Sequence, residues 1–286
     1  MLIDNTPPEL RFDLPAADLA TNDPEFPIRL SYTDAISTAM PATLDVLLDG
    51  ASQRAAFDIG PAQADRIAGA LVLADGTHEL TATIADAAGN IGSARRIVVL
   101  DRQPPSAPTI DPPISPTGIA TITLAGDRSA DSFDIQVNGS SEGVSLATPE
   151  RWQKTVTLQE GSNSFSVRAL DAVGNASAAV SATVVLDQTA PRLVISPAPG
   201  STLTSRVQTV TLAWSDPSGV DPGSLRVIFN GEDFSAKFTR DTNGATYAFT
   251  GPTAFQDGAN SLQVDLADAL GNTTSTIANY QVASAQ

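Results

Sequence analysis

The sequence has no cysteine, a single histidine (His78) and only two lysines among its 286 residues. Without cysteine there are no disulfides, no zinc sites with thiolate ligands and no cysteine nucleophiles. One histidine cannot build a site that needs several, and the G-x-S-x-G pattern of serine hydrolases is absent as well. These absences remove most hydrolytic constellations, and we expect a protein that is not an enzyme.

Positive charge and long apolar runs are also scarce. Acidic residues outnumber basic residues 32 to 16, and the resulting net charge of −16 repels nucleic acid. No apolar run approaches the roughly 18 residues of a membrane-spanning helix, so we expect neither a nucleic-acid partner nor membrane insertion of this segment. Residues 1–10 lack the basic and apolar regions of a signal peptide. Because the segment that begins at Asp4, three residues after Met1, recurs in similar form inside the chain, we expect a piece of a longer parent protein.

A five-residue pattern, D-x-x-G-N, is present in three copies. The copies begin at Asp86, Asp171 and Asp268. Each copy is preceded, 11 residues earlier, by an acidic residue followed by glycine, at Asp75, Glu160 and Asp257. Because the same register recurs three times, the chain is expected to consist of tandem modules.

Two further marks locate the boundaries of these modules. Pairs that suit the positive φ angles of hairpin turns occur at Asp49–Gly50, Asn138–Gly139 and Asn230–Gly231. Segments of the form D-x-x-x-P, in which proline ends the preceding strand and stiffens the connection, begin at Asp4, Asp101 and Asp187. The marks predict a first module at residues 1–100, a shorter middle module at 101–186 and a third module at 187–286.

Short runs with alternating polarity fill each module. In Leu80–Ile84 and Val210–Trp214 the large apolar residues occupy every second position, which is the period of a half-buried strand. Many short strands in modules of 86 to 100 residues favour an all-β fold of small sandwiches. Residues 62–73 are open to two interpretations, a helical turn or an edge strand with its loop.

The segment Glu160–Asn175, its two sister segments and the D-x-x-x-P starts resemble the bacterial immunoglobulin-like (Big-type) tandem repeats of surface and secreted proteins. The resemblance covers essentially the whole chain. It implies three tandem immunoglobulin-like β-sandwich domains in an extended array, and an extracellular or cell-surface location. It does not select one function, since such repeats serve as adhesin stalks, as spacers in carbohydrate-active enzymes and as arrays in large toxins.

His78 is the natural candidate for a general base or metal ligand. In the repeat register, however, it takes the place of Asn163 and Asn260. A polar side chain at this position is suited to hydrogen-bond the backbone of the corner that enters the next strand. We therefore interpret His78 as a structural residue.

The two tryptophans are candidates for sugar-stacking platforms. Trp152 occupies the position of Phe249 relative to the acid–glycine pair, and Trp214 matches Tyr32. Large aromatic residues at equivalent places in sister modules favour a core role.

Aspartates gather where each module begins, because the loops after the second and sixth strands of an immunoglobulin-like sandwich lie at the end where the chain enters. The candidate metal ligands are Asp101, Asp127 and Asp171 in the middle module, and Asp187, Asp216 and Asp268 in the third. Converging carboxylates suit Ca²⁺, a hard ion with six to eight oxygen ligands. The alternative is that aspartate simply favours turns, and neither an EF-hand nor a nonapeptide calcium pattern is present.

The leading hypothesis is a non-catalytic structural spacer, or stalk, in a larger bacterial extracellular or cell-surface protein such as an adhesin. Its partner is then the remainder of the parent chain. The alternative is a module that binds a glycan or protein ligand with loops at one end of a sandwich.

Overall fold

The computed structural model describes residues 4–283. Within this range the regular structure consists of 24 β-strands and four short 3-10 turns. No helix in the described range has the length and apolar character needed to cross a membrane. The predicted all-β fold class is therefore confirmed.

The first module contains strands β1–β9. They are β1 (Glu9–Leu14), β2 (Leu19–Thr21), β3 (Arg29–Thr33), β4 (Asp45–Leu48), β5 (Ala51–Ser52), β6 (Phe57–Ile59), β7 (Gln63–Arg66), β8 (Gly76–Ala85) and β9 (Ile91–Leu100). Two 3-10 turns lie at Pro41–Thr43 and Arg54–Ala56. The ambiguous stretch 62–73 thus begins with strand β7 and continues as turn and irregular structure.

The middle module contains β10 (Thr121–Asp127), β11 (Asp134–Val137), β12 (Val144–Thr148), β13 (Arg151–Thr157), β14 (Gly161–Leu170) and β15 (Val180–Leu186). The third contains β16 (Arg192–Ser196), β17 (Thr202–Leu203), β18 (Gln208–Ser215), β19 (Val220–Phe229), β20 (Glu232–Asp233), β21 (Thr239–Arg240), β22 (Gly244–Phe249), β23 (Gly258–Asp268) and β24 (Thr273–Val282). Its 3-10 turns are Ser235–Lys237 and Gly251–Thr253.

The first and third modules share one sheet plan. In the first, sheets of order β1-β3-β7-β6 and β2-β9-β8-β4-β5 contribute to a single core. In the third, the corresponding orders are β16-β18-β22-β21 and β17-β24-β23-β19-β20. Residues on β8 and β23 alternate between buried and partly exposed, so the alternation in the sequence points one set of side chains into each core.

The core of the third module is rich in aromatic residues. The ring of Phe229 lies 4.6 Å from that of Phe249 and 4.7 Å from that of Phe255. Aromatic pairs at these separations add stability beyond the apolar area that they bury. These aromatic contacts therefore stabilise the packing of the two sheets of the third module.

The middle module has two three-stranded sheets, β10-β13-β12 and β11-β14-β15. The chain divides into two compact units, one of Met1–Thr109, Gly126–Trp152 and Ser166–Val180, the other of Ile110–Ala125, Gln153–Phe165 and Ser181–Gln286. The first unit holds the sheets of the first module, and the second unit holds those of the third. Because the middle module contributes residues to both units, the boundaries after residues 100 and 186 stay predictions.

The three predicted hairpin turns are present. Asp49, Asn138 and Asn230 have φ angles of 51°, 52° and 48°, and each is followed by a glycine that also has positive φ. This left-handed region is favourable for glycine and tolerated by Asn and Asp. The Asp-Gly and Asn-Gly pairs therefore end β4, β11 and β19 at equivalent places.

Candidate cation sites

The D-x-x-G-N pattern forms the same hydrogen-bonded turn wherever it occurs. In the third module Asp268 Oδ1 accepts the backbone N–H groups of Leu270 (2.9 Å) and Asn272 (2.8 Å), and its Oδ2 accepts the side-chain amide of Asn272 at 2.6 Å. Gly271 has a φ of 92°, which a residue with a Cβ rarely adopts. This single local turn therefore explains the spacing of Asp, Gly and Asn in the D-x-x-G-N pattern.

The sister turns repeat this geometry within tenths of an ångström. Asp86 accepts the side-chain amide of Asn90 at 2.8 Å, and Asp171 accepts that of Asn175 at 2.7 Å. Burial raises the pKa of Asp86, but the Asn90 side chain and backbone N–H groups outweigh it and hold that pKa below the usual value. The same balance lowers the pKa of Asp171, so both carboxylates are ionised near neutral pH.

The asparagine of each turn also reaches the D-x-x-x-P segment. Its side-chain amide donates to the backbone carbonyl of the first aspartate of that segment: Asn90 to Asp4 at 3.3 Å, Asn175 to Asp101 at 2.9 Å, and Asn272 to Asp187 at 3.2 Å. The bonded residues are 86, 74 and 85 residues apart in sequence, so the two repeated patterns form one structural unit. We call this contact the asparagine staple.

A third carboxylate joins the staple in the third module. One carboxylate oxygen each from Asp187, Asp216 and Asp268 lies within 4.8 Å of the other two. Asp187 and Asp268 are each only 3% exposed. Asp187 Oδ1 accepts the Thr189 hydroxyl at 2.7 Å, and this bond contributes most to lowering the pKa of Asp187 to about 2.

The second oxygen of Asp187 is the unusual atom of this cluster. Asp187 Oδ2 is buried and has no hydrogen-bond partner within residues 4–283. The Ser218 hydroxyl, which also helps to lower the pKa of Asp187, donates to Asp216 Oδ1 at 2.7 Å and makes no hydrogen bond to Asp187 Oδ2. A buried carboxylate oxygen without a donor is unfavourable.

An equivalent cluster lies in the first module. Oxygens of Asp4, Asp34 and Asp86 also lie within 4.8 Å of one another. Asp4 Oδ1 accepts the Thr6 hydroxyl at 2.6 Å, a bond that lowers the pKa of Asp4, and its Oδ2 is likewise buried without a partner in the described range. Each cluster therefore consists of three aspartates, and in each cluster one buried carboxylate oxygen has no hydrogen-bond partner in the described range.

Both clusters fit a Ca²⁺-like ion on the basis of these observations. Oxygen ligands lie 2.3–2.6 Å from Ca²⁺, so two ligands of one ion are at most about 5 Å apart, and the 4.8 Å limit satisfies this condition. Carboxylates so close together repel one another when ionised, and a divalent cation would compensate this repulsion. Asp4, Asp34 and Asp86, or Asp187, Asp216 and Asp268, would be the protein ligands.

The predicted middle-module set does not gather in this way. Asp101 and Asp171 are connected through the staple of Asn175, but within the described residues Asp127 does not join them in a three-carboxylate group. Asp127 instead forms an ion pair with Arg151, Oδ1 to Nη1, at 2.8 Å. The arginine supplies Asp127 with the positive charge that a cation would supply to the two three-aspartate clusters.

Gly126, which directly precedes Asp127, lies in a crowded part of the middle module. A Cβ at Gly126 would lie 1.9 Å from the carbonyl oxygen of Thr109 and 2.8 Å from Trp152 Nε1. The end of strand β10 is thus crowded by the segment at Thr109 and by the indole ring. The sequence pattern does not reveal this crowding.

Sequence reasoning did not select Asp4, Asp34 and Asp86, although the signal was present. Asp4 starts a D-x-x-x-P segment, Asp86 starts a D-x-x-G-N pattern, and Asp34 follows Tyr32 as Asp216 follows Trp214. The two junctions between the predicted modules point only to the aspartates around Asp101 and Asp187, so these three residues are not among the predicted ligands.

The other sequence candidates lie where the repeat register predicts. Trp152 is fully buried and donates its indole N–H to the Thr109 carbonyl at 3.0 Å; Trp214 is 6% exposed and donates to the Thr242 carbonyl at 3.1 Å. Neither ring presents a face for stacking on a sugar. His78 contacts the corner carbonyl of Ala74 at 2.9 Å, in agreement with its structural interpretation.

No family model matches the sequence, and no curated protein matches it significantly. Among solved structures, a Ca²⁺-stabilised adhesin with which an Antarctic bacterium binds ice is 15% identical, with a TM-score of 0.44, over 96% of this chain and 74% of that chain. A 1.5-MDa bacterial ice-binding adhesin is 16% identical, with a TM-score of 0.38, over 97% and 98%.

Fibronectin(III)-like modules of CbhA from Clostridium thermocellum are 17% identical, with a TM-score of 0.39, over 63% of this chain and 94% of that chain. All three similarities are to proteins of low sequence identity. No ligand or activity is transferred from them by likeness alone.

Proposed function

We propose that this chain is a non-catalytic spacer segment of a larger bacterial extracellular or cell-surface protein, built from immunoglobulin-like modules of the Big type. The observation that carries the proposal is the asparagine staple, which recurs in all three modules. It ties the first aspartate of each D-x-x-x-P segment to the turn between the last two strands of the same module, β8–β9, β14–β15 or β23–β24. The direction in which the chain enters each module is thereby held, as a spacer requires.

The proposal includes a Ca²⁺ ion at each of the two three-aspartate clusters. The ion supplies positive charge that binds the entry segment, through Asp4 or Asp187, to two loops of the same module. The unsatisfied oxygens of Asp4 and Asp187 support this assignment, because a buried carboxylate oxygen without a donor is costly. The ion stabilises the folded module and stiffens its first turn.

Thermal unfolding with excess EDTA and with millimolar Ca²⁺ tests the cation sites, since extracellular modules bind Ca²⁺ in that range. Saturation to 100 times Kd adds about 2.7 kcal/mol, which raises the Tm of a module of this size by about 10–20 °C. Asp216→Asn should abolish the part of the shift that belongs to the third module. Asp127→Asn is the matched control, and it should retain the full Ca²⁺ response. Equal melting curves in Ca²⁺ and EDTA would contradict both cation sites.

Small-angle scattering tests the spacer independently of Ca²⁺. A single compact body of 286 residues has a radius of gyration of about 19 Å. Three modules end to end, each about as long as a ten-residue strand of 33 Å, give a rod near 100 Å and a radius of gyration of about 30 Å. A value close to that of the compact body would refute the extended spacer.

A further inference from the structure

The hairpin turn at Asp49 and the strand corner before β8 meet in the first module. Asp49 donates its backbone N–H to the carbonyl of Glu79 (2.9 Å), and Asp49 Oδ1 accepts the N–H of Glu79 (2.8 Å). In the third module Asn230 makes the same pair of bonds with Ser261, at 2.9 and 2.8 Å. Asp49 and Asn230 are therefore equivalent positions, one charged and one neutral.

The residue whose side chain contacts this turn position also differs between the two modules. In the third module the Asn230 amide donates to Asn260 Oδ1 at 3.0 Å, and the Asn260 amide donates to the Gln256 carbonyl at 2.8 Å. A side-chain amide carries both a donor and an acceptor and has no titratable proton. The contact in the third module is therefore independent of pH.

In the first module His78 takes the place of Asn260. His78 Nδ1 lies 2.7 Å from Asp49 Oδ2, and His78 Nε2 lies 2.9 Å from the carbonyl oxygen of Ala74. Both neighbours are acceptors, so both ring nitrogens carry a hydrogen only in the imidazolium form. The neutral ring loses one of the two bonds, and because the side chain is only 12% exposed, water does not readily replace it.

Asp49 is the charged group that faces the ring. The residue paired with His78 on β9 is the uncharged Val98. The carboxylates that flank His78 in sequence are engaged elsewhere, Asp75 with Arg102 and Glu79 with Arg95. Burial lowers the pKa of His78, but the Ala74 carbonyl and the Asp49 carboxylate outweigh it and raise this pKa above its ordinary value.

We propose that Asp49 and His78 form a pH-sensitive latch, confined to the first module, that is closed when His78 is protonated and weakened when the proton leaves. A group whose pKa is raised by folding stabilises the folded state below its unfolded pKa of about 6.5. That contribution is lost as pH rises through the folded pKa. For each pH unit by which the folded pKa of His78 exceeds the unfolded pKa, the equilibrium constant for opening the latch increases about tenfold once the pH is above the folded pKa.

The single histidine makes a direct test possible with the full chain. The chain is labelled with ¹³C in the histidine ring, and the one ring signal is titrated by NMR between pH 5 and 9 in EDTA, which removes any contribution from the cation sites. We expect a pKa above about 6.5 that falls when Asp49 is replaced by Asn. A pKa at or below that value, or one that Asp49→Asn leaves unchanged, overturns the latch.

Hydrogen exchange then measures the consequence for the corner. The matched variant is D49N/H78N, which recreates the pH-independent amide pair of the third module. We expect the amide of Glu79 to exchange several-fold faster, relative to this variant, at pH 8 than at pH 6. A wild-type to variant ratio that stays constant with pH contradicts the proposal, even if the variant is less stable throughout.

Discussion

Replacing Asn272 with Ala removes the asparagine staple of the third module without touching its core. The change deletes one bond to the carboxylate of Asp268 (2.6 Å) and one to the backbone carbonyl of Asp187 (3.2 Å). A hydrogen bond to a charged group contributes about 1.5–3 kcal/mol, and a neutral one about 0.5–1.5 kcal/mol. We therefore expect the free energy of unfolding of the third module to fall by about 2–4 kcal/mol.

This loss corresponds to a decrease in Tm of about 10–20 °C for a module of 100 residues. The assay is tryptophan fluorescence during thermal unfolding in EDTA, in a Trp152→Phe background. Trp214, in the core of the third module, is then the only tryptophan, because the chain contains two. The fluorescence transition therefore reports on this module alone.

Asn279→Ala is the matched control, because Asn279 is an exposed asparagine on the neighbouring strand β24. Exposed substitutions of this kind change stability by no more than about 0.5 kcal/mol. If Asn272→Ala lowers the Tm by no more than Asn279→Ala does, the staple does not hold the entry segment, and the reasoning for the spacer fails with it.

Two further predictions follow from single residues. The pKa of Asp187 is lowered to about 2, below its unfolded value of about 3.9. The ionised carboxylate therefore stabilises the folded state above about pH 4, and this stabilisation is lost as pH falls toward about 2. Urea titrations in EDTA should show a smaller acid-induced loss of unfolding free energy for Asp187→Asn than for wild type, and equal losses would contradict this. Gly126→Ala places a Cβ 1.9 Å from a backbone oxygen and should destabilise the middle module by about 3 kcal/mol, measured through Trp152 fluorescence in a Trp214→Phe background. Gly118→Ala, whose nearest atom lies at 3.8 Å, is the control, and equal effects of the two would refute the crowding argument.

Local patterns in the sequence determine the strands and the turns. The alternation in Leu80–Ile84 is enough to place β8, because successive side chains of a strand point to opposite faces. The D-x-x-G-N turn closes through bonds between residues four apart, such as Asp268 and Asn272, and its glycine requires positive φ. These features depend on neighbours in the chain, so composition and spacing reveal them.

The tertiary structure alone decides which distant groups meet. Asp127 looks like Asp216 in sequence, yet it pairs with Arg151 on another strand and, among residues 4–283, does not join Asp101 and Asp171 in a three-carboxylate group. His78 resembles Asn260 in register, yet only the fold brings its Nδ1 within 2.7 Å of Asp49, 29 residues away, where the carboxylate helps to raise the pKa of His78. Strand register and loop crowding determine these encounters, and both depend on the packing of whole sheets, which no local pattern encodes.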